Sequence, residues 1–390
     1  MEIISIAERP INLLQVIGAA IVGGMETYVL RLLQRLPSDV FNVTCLCVCE
    51  SRITSQLRDM GCKVHITPIT DDPDWQSIQL GVSLIQDEAI DVIHAHLPNA
   101  HTLTGILSKL TGTPALATIH SRYLGLRDFE VHKLMQTHIH VVAKTAYFHA
   151  RSLGVSPSKL RFIGNGVDTE IFRPVAKTDY LHSVVDIVPG TLLIGYVGRL
   201  SPEKGPEVFV QVAGKVHENL PDCHFVLVGE GPMREKLENE IENLGLGNYI
   251  HFAGLQSDMS QVYASLDLAV STSYSEGMPL AIIEAMASGL AVVATNVGGV
   301  SDIVEVGCTG WLHSIGDISG LAKSIIALMS DESMRVAMGK EARKRVEEKF
   351  ELNDSASQTS ELLRSLTQLG RHNESLGTMD IRLKRPSKKR

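Results

Sequence analysis

The chain has 390 residues, of which 44% are hydrophobic and 21% are charged, and its formal net charge is −8. This length predicts two domains of ordinary size, and the composition excludes a collagen, a coiled coil and a chain that is disordered throughout. No stretch approaches the roughly 18 uninterrupted apolar residues that a membrane span needs. The apolar run 11–24 follows glutamates rather than a basic segment, which argues against a signal peptide, so we expect a cytoplasmic protein.

Short apolar runs alternate with segments of helical period along the first half of the chain. The runs predicted as strands are 11–18, 43–49, 63–66, 91–95, 115–119 and 139–142. The segments predicted as helices include 25–36, 101–110 and 145–153. Because strands that are apolar on both faces need cover on both faces, this alternation predicts a parallel sheet between two layers of helices.

The alternation restarts after 173–190, a polar stretch with prolines and no clear period, which we interpret as a linker. The later predicted strands are 191–197, 223–228, 248–252, 266–270, 291–294 and 310–313, and the later predicted helices include 207–219, 232–244, 331–349 and 352–369. The predicted fold class is therefore α/β, with two doubly wound, Rossmann-like domains facing each other across a cleft. The expected parts are an N-terminal domain at 1–177, a C-terminal domain at 178–350, a helix at 351–370 that returns toward the N-terminal domain, and a basic disordered tail at 371–390. Such sheets bind ligands at the carboxyl ends of their strands, so the cleft is the expected site.

Three of the six cysteines, Cys45, Cys47 and Cys49, occupy alternate positions of one predicted strand and therefore share a face. Alternate strand positions lie about 6.6 Å apart, which is awkward for a single tetrahedral metal ion with sulfur ligands at about 2.3 Å. Buried, reduced thiols are the favoured interpretation, in agreement with a cytoplasmic protein.

Charge is unevenly distributed along the chain. The net charge is −1 over 1–180, −12 over 181–370 and +5 over 371–390. Because neither large block is basic, the sequence argues against a nucleic-acid partner. The basic tail is interpreted as a solvated arm, with weak attraction to an anionic membrane leaflet as the alternative.

Two segments suggest a site for an anion. Gly23 and Gly24 lie between a predicted strand and a helix, where glycine lets the backbone approach a ligand and the helix start offers unpaired N–H groups. Arg199 leaves the end of another strand, and Lys204 lies five residues later at a helix start, so that two cations converge as a diphosphate requires. A tight turn without a ligand and an ordinary surface Arg–Lys pair are the alternatives.

A third segment begins at Glu276 and runs into an apolar helix that contains Glu284. The N–H groups at the start of this helix are predicted to point into the cleft, with the helix dipole favouring negative charge. A carboxylate in an otherwise apolar helix is costly unless it is paired or binds hydroxyl groups. Two carboxylates on either side of an anion site could hold the two ends of a nucleotide-sugar; the alternative is a capping box with a structural ion pair. The residues expected to meet the ligand here are Glu276, Gly277, Met278, Pro279, Leu280 and Glu284.

Asp72-Pro73-Asp74 has the DxD form that some transferases use to hold a metal ion, but it lies in a polar stretch with no flanking strand. A turn is the favoured interpretation.

Taken together, Gly23-Gly24-Met25-Glu26, the segment 198–205 and the two glutamates separated by seven residues resemble the retaining glycosyltransferases of family 4, which have the two-domain GT-B fold. Further matches are 165–168, 228–232 and 294–299 followed by Asp302, so the similarity covers about 11–350. Two positions depart from the family pattern. Gly164 stands where proline is common and Met278 where phenylalanine is frequent, which affects loop stiffness and the shape of the donor pocket.

The resemblance implies a role for each matching residue. Arg199 and Lys204 would hold the diphosphate of the donor, Glu284 the ribose hydroxyls and Glu276 the hydroxyls of the donor sugar. The backbone of 277–280 would neutralise the leaving group, and the Gly23–Gly24 loop would lie against the donor phosphate or the acceptor. His120, at the end of a predicted strand, matches the active-site histidine of the N-terminal domain, with His94 and His96 as weaker candidates.

The implied reaction transfers a hexosyl or N-acetylhexosaminyl group from a UDP- or GDP-sugar to an acceptor hydroxyl, with retention of the anomeric configuration and no metal or other cofactor. The expected acceptor is a glycan or a lipid-linked sugar, in polysaccharide, lipopolysaccharide or lipid-linked glycan synthesis. The mixed basic and apolar loop 121–127 could dock a lipid phosphate by peripheral contact at the inner face of the membrane, or could be merely solvated. The alternatives are a nucleotide-sugar epimerase of the same fold and a non-catalytic nucleotide-sugar-binding protein.

Overall fold

The computed structural model describes residues 9–19 and 23–377, with side chains up to residue 368. Most of the predicted basic tail therefore lies outside the described residues. None of the described helices is both long enough and apolar enough to cross a membrane.

The first half of the chain forms a sheet of seven parallel strands in the order β3-β2-β1-β4-β5-β6-β7. These strands, β1 to β7, are Ile11–Ile17, Phe41–Cys47, Lys63–Ile66, Val92–His96, Ala115–Ile119, His138–Val141 and Leu160–Phe162. The helices between them, α1 to α6, are Gly24–Arg35, Arg52–Asp59, Trp75–Asp87, Pro98–Thr111, Leu126–Met135 and Lys144–Ser152. All residues of β4 and β5 are buried, as expected for a parallel sheet with helices on both faces.

The second half forms a sheet of six parallel strands in the order β10-β9-β8-β11-β12-β13. These strands, β8 to β13, are Leu193–Val197, His224–Val228, Ile250–Gly254, Leu268–Ser271, Val292–Thr295 and Gly310–His313. The helices α7 to α14 are Tyr180–Val184, Pro206–His217, Arg234–Asn243, Met259–Ser265, Leu280–Ala287, Val300–Ile303, Ile318–Ser330 and Glu332–Lys349. Two α/β domains of doubly wound topology are thus confirmed.

The last helix, α15 (Leu352–Gly377), belongs to the core of the N-terminal domain. Its Leu363 and Leu366 are buried there with residues of β1 and α1. The chain crosses between the domains where Val167 lies beside 350–352, with Val167 N donating to the Phe350 carbonyl at 2.9 Å and Leu352 N donating to the Val167 carbonyl at 3.0 Å. The two segments that connect the domains therefore lie side by side and are hydrogen-bonded to each other. The helix ends seven residues beyond the predicted end at residue 370.

Three local predictions differ from the structure. Strand β7 was not predicted, because only Leu160 of its three residues is buried and the pattern is too short to recognise. The predicted linker contains α7, which is held by the buried Leu181. Strand β2 ends at Cys47, so Cys49 is exposed and does not share the buried face of Cys45; all six cysteines are free.

Candidate active site

The carboxyl ends of the two sheets meet at the loop that precedes α11. At Gly277 an added Cβ atom would lie 1.9 Å from the carbonyl oxygen of His120, which follows β5 of the opposite domain. The loop is fixed from the other side by Gly299 N, which donates to the Gly277 carbonyl at 2.7 Å. Only glycine fits this contact, so the glycine brings the two predicted catalytic residues, His120 and Glu276, to one place.

Glu276 is buried and holds a closely packed ion pair. Lys204 Nζ donates to both of its carboxylate oxygens at 2.7 Å, and Ser273 Oγ donates to Oε1 at 2.7 Å. Lys204 ends a single 3₁₀ turn, Pro202–Lys204, which follows β8. Its ammonium group is thus neutralised by a carboxylate of the same domain, an arrangement that the sequence did not predict.

Arg199 differs from Lys204 in having no partner. Its side chain is exposed, and among the described residues its guanidinium makes no hydrogen bond or ion pair. Burial raises the pKa of Glu26 across the cleft, and the charge of Arg199 opposes that rise; the same charge contributes to the lowered pKa of Glu203 in its own loop. Within the described part of the chain, Arg199 is therefore an unpaired cation.

Helix α11 offers an uncapped N-terminus to the same place. Pro279 is the N-cap residue, none of the side chains that the structure describes caps the helix, and its first turn contains no acidic residue. The first N–H groups of a helix carry partial positive charge when nothing caps them. Together with Arg199 and Lys204, the start of α11 forms a site suited to a diphosphate.

The start of α1, in contrast, is already occupied by a carboxyl group of the chain. Glu26 is buried, and burial raises its pKa, while the backbone N–H groups of Glu26 and Gly23 lower it by hydrogen bonding. Gly23 is the N-cap residue, and Gly24 begins the helix. Glu26 therefore occupies N–H groups that an anion at the Gly23–Gly24 loop would need, and the anion site there stays a prediction.

Glu284 makes one contact across the domain boundary and one within its own domain. One Nη atom of Arg31, on α1, donates to Oε1 at 2.6 Å, and the Tyr263 hydroxyl donates to Oε2 at 2.9 Å. The Arg31 guanidinium also lies over the ring of Phe172, 5.2 Å from its centroid. No sequence pattern indicates this role for Arg31, since α1 lies in the other domain and a lone arginine on a helix is usually solvated.

His120 lies in a cluster of histidines at the ends of β4, β5 and β6. His120 Nε2 and His96 Nδ1 are 3.1 Å apart, and the Tyr28 ring packs edge-on against His120 with centroids 5.0 Å apart. Burial lowers the pKa of His120 to about 3 and that of His140 to about 4, with neighbouring histidines adding to the effect on His120. The imidazoles of this cluster are therefore neutral at physiological pH.

The two departures from the family pattern lie against each other. An added Cβ atom at Gly164 would lie 3.2 Å from Met278 Sδ, and the side-chain amide of Asn165 donates to the Met278 carbonyl at 2.7 Å. Met278 is buried, so its side chain packs on this loop. The two substitutions are thus parts of one local packing arrangement.

The loop 121–127 is exposed beside His120. Tyr123 and Leu126 are 45% and 75% exposed, and the Arg122 guanidinium lies 4.4 Å from the centroid of the Tyr123 ring.

The DxD segment is a turn as predicted, since the Asp74 side chain caps α3 by accepting from Ser77 N at 2.7 Å.

A cavity of about 440 Å³ opens beside Arg31 and is lined by residues from both domains, among them Asp168, Phe172 and Ser257. A larger one, of about 640 Å³, is lined by Asn12, Phe41 and Lys63 at the amino ends of β1 to β3, so it lies away from the cleft. Among residues 9–19 and 23–377, no group of three or more histidine, cysteine or acidic side chains could hold a metal ion.

Comparisons with known proteins identify both halves of the chain. Residues 22–171 match the family model described as "Glycosyltransferase Family 4", and residues 180–345 match "Glycosyl transferases group 1". The chain is 26% identical over 354 residues to UDP-Gal:alpha-D-GlcNAc-diphosphoundecaprenol alpha-1,3-galactosyltransferase of Escherichia coli, covering 85% of this chain and 91% of that enzyme. It is also 26% identical to N-acetyl-alpha-D-glucosaminyl L-malate synthase of Bacillus anthracis, covering 70% of this chain and 74% of that enzyme.

Among solved structures, the chain is similar to HepE of Anabaena in complex with UDP-glucose. The TM-score is 0.80 with 21% identity, and the match covers 91% of this chain and 99% of that one. This similarity confirms the predicted two-domain fold.

Proposed function

The chain belongs to the GT-B glycosyltransferases of the family 4 type, as its motifs predicted, and on that premise we propose that it is a retaining enzyme that transfers a hexosyl or N-acetylhexosaminyl group from a UDP-sugar. The observation that carries the proposal is the convergence of Arg199, Lys204 and the uncapped start of α11 on one side of the cleft, with His120 on the other. UDP is favoured over GDP because the E. coli relative is named for UDP-galactose and the Anabaena structure contains UDP-glucose.

The proposed role of the cations is to stabilise the leaving diphosphate. Arg199 is unpaired and binds first, whereas Lys204 exchanges its contact with Glu276 for a phosphate oxygen. That exchange frees the Glu276 carboxylate to accept hydrogen bonds from hydroxyls of the donor sugar. Charge that develops on the leaving group then meets cations and helix N–H groups that are already in place, and no metal ion is needed.

We propose that the acceptor hydroxyl attacks the same face of the sugar that the diphosphate leaves. Ser273 still donates to Glu276 once Lys204 has turned to the phosphate, which suits a carboxylate that positions hydroxyl groups better than one that attacks carbon. Closure of the two domains at His120 and Gly277 would exclude water and limit hydrolysis of the donor.

The proposed acceptor is a lipid-linked sugar at the inner face of a membrane. The E. coli relative is named for a sugar on diphosphoundecaprenol. The exposed Tyr123 and Leu126, with the Arg122 guanidinium of the same loop, would suit an apolar chain with an anionic head.

The test is a panel of UDP-, GDP- and ADP-sugars, with nucleotide release followed in the presence and absence of lipid-linked and soluble acceptors. Acceptor-dependent release with an α-linked product from an α-linked donor, read by NMR of the anomeric proton, supports the proposal. Inversion of the anomer refutes the retaining mechanism. Interconverted sugar would identify an epimerase, and bound but unchanged donor would identify a binding protein.

A further inference from the structure

A continuous line of hydrogen bonds runs through the interior of the N-terminal sheet and ends at His120. Its members lie on four neighbouring strands and in the segment after β7, and every linking atom pair is 2.7 to 3.2 Å apart. All the linking side chains except His120 are fully buried. In order from the interior to the cleft, the members are the Ile163 carbonyl, His140, Thr118, His94, Gln15, His96 and His120.

The first member sets the direction of the first links. A carbonyl oxygen can only accept, so the His140 Nε2 that lies 2.9 Å from the Ile163 carbonyl must carry the proton. A neutral imidazole has one N–H, so His140 Nδ1 is an acceptor, and the Thr118 hydroxyl donates a hydrogen bond to it at 2.9 Å. The Thr118 oxygen then accepts from His94 Nε2 at 2.7 Å.

The same reasoning continues to the cleft. Because His94 Nε2 carries the proton, its Nδ1 accepts from the amide nitrogen of Gln15 at 3.2 Å. The Gln15 oxygen accepts from His96 Nε2 at 3.0 Å, which leaves His96 Nδ1 to accept from His120 Nε2 at 3.1 Å. Reversing any one link would place two acceptors or two protons face to face.

The argument requires neutral imidazoles, and their surroundings keep them neutral. Burial lowers the pKa of all four histidines, and the neighbouring imidazoles lower those of His94, His96 and His120 further. The nearby acidic Asp128 is hydrogen-bonded to His101, which lies outside the line.

We propose that this line of hydrogen bonds holds His120 in the tautomer with the proton on Nε2, so that its Nδ1 lone pair is left to accept a hydrogen bond from a substrate hydroxyl in the cleft. Nδ1 makes no hydrogen bond within the described residues, and His120 is the only one of the four histidines that is not fully buried. In this state His120 binds a sugar or acceptor hydroxyl and does not donate a proton to the leaving diphosphate. The consequence for catalysis rests on the proposed function, whereas the tautomer does not. Gln15, Thr118, His94, His96 and His140 are positioning residues.

The first experiment reads the tautomer directly in the full chain without substrate. Protein labelled with ¹⁵N-histidine gives separate NMR signals for protonated and unprotonated ring nitrogens, and a His120→Asn variant identifies the signals of His120. At pH 7.5 we expect Nε2 of His120 to be protonated and Nδ1 unprotonated. A wild-type protein with the proton on Nδ1, with both nitrogens protonated, or with an even mixture would overturn the proposal.

The second experiment cuts the line far from the cleft. Thr118→Val removes the hydroxyl that connects His94 to His140, so the links beyond it are no longer tied to the Ile163 carbonyl. We expect His120 to show both tautomers and kcat/KM to fall at least about twofold, since only one tautomer is competent. A single unchanged tautomer in this variant would show that the line does not set it.

Thr104→Val is the matched control. Thr104 is a threonine of the same domain, 1% exposed, whose hydroxyl makes no hydrogen bond with any residue that the structure describes. The same substitution there should change neither the His120 signals nor the turnover. If Thr118→Val does not fold, the wild-type spectrum still decides the tautomer. Sugar transfer with the proton on Nδ1 would refute this inference alone, and the expected tautomer without any transfer would refute the proposed function alone.

Discussion

The carboxyl ends of the two sheets meet at one cleft, but they present different polar groups to it. In the N-terminal domain the polar groups are neutral imidazoles that lie inside the sheet and are linked by hydrogen bonds. In the C-terminal domain β8 and β11 are mostly buried and apolar, and charge begins only in the loops after them, at Arg199, Lys204 and Glu276. Charged side chains that can exchange ion-pair partners suit a diphosphate. Neutral imidazoles whose hydrogen-bond direction is fixed suit uncharged hydroxyl groups.

Removing a cation from the charged half should have the largest effect. Lys204→Ala takes away one of the groups proposed to meet the leaving diphosphate and leaves Glu276 without its ion-pair partner. Loss of one such preorganised contact typically costs about 10²–10³-fold, so we expect kcat/KM for the UDP-sugar to fall by about that factor.

The matched control is Lys215→Ala. Lys215 lies in the last turn of α8, at the far end of the helix from the cleft, and its ammonium donates to Ser319 Oγ at 3.1 Å. Its turnover should match the wild type. A loss smaller than tenfold for Lys204→Ala, with Lys215→Ala unchanged, would remove Lys204 from the proposed mechanism.

Disrupting the contact between the two domains at Gly277 should have the second largest effect on activity. Gly277→Ala places a methyl group 1.9 Å from the His120 carbonyl, so the loop before α11 and the end of β5 must move apart. Misplacement by about 1 Å can cost about 10²-fold in turnover, and we expect kcat to fall by that order. Binding of UDP, measured by calorimetry, should change much less, because the cations lie in one domain. Equal losses in UDP affinity and in kcat would mean that the contact serves the fold and not the meeting of the domains.

The charged half could be predicted from the sequence better than the neutral half. Arg199, Lys204 and Glu276 lie in the loops that follow two predicted strands, so the parallel topology alone places them at one edge. The line through His94, Gln15 and His140 depends on the strand order β1-β4-β5-β6, which no local pattern encodes.

The pairing of Arg31 with Glu284 could be predicted still less. It depends on how two separately folded domains are oriented, and neither α1 nor α11 carries a signal of that orientation. All the strands except β7 were predicted within about two residues, because apolar runs between helices are local features of the sequence.

Breaking the ion pair between Arg31 and Glu284, which joins the two domains, should have a smaller effect, and the effect should be on the free energy of unfolding. Arg31→Ala removes the cation that binds Glu284, whose side chain is only 8% exposed, and leaves the Tyr263 hydroxyl as its remaining partner. A buried carboxylate that loses a partner typically costs about 2 kcal/mol, which should appear as a lower free energy of unfolding in a denaturant titration. Arg58→Ala breaks an ion pair with Glu50 in which both side chains are well exposed, and should leave stability unchanged. The same result for both variants would contradict a buried bridge.

Acid should gradually lower the free energy of unfolding, because the buried histidines of the N-terminal domain are neutral in the folded chain. The pKa of His140 is lowered to about 4 and that of His120 to about 3 in the folded chain, against about 6.5 in the unfolded chain. Above pH 6.5 both histidines are neutral in the folded and in the unfolded chain, so they do not change the free energy of unfolding. Below pH 6.5 they are protonated in the unfolded chain but stay neutral in the folded chain. The free energy of unfolding therefore falls as the pH drops toward 4. Each such histidine contributes at most about 1.4 kcal/mol per pH unit in this window. His140→Gln removes one titrating group from the buried line, so a plot of unfolding free energy against pH should be less steep for it than for the wild type. Parallel plots would mean that His140 is already protonated, or exposed to water, in the folded protein. The direction of the hydrogen bonds that lead to His120 could then no longer be derived from a neutral His140.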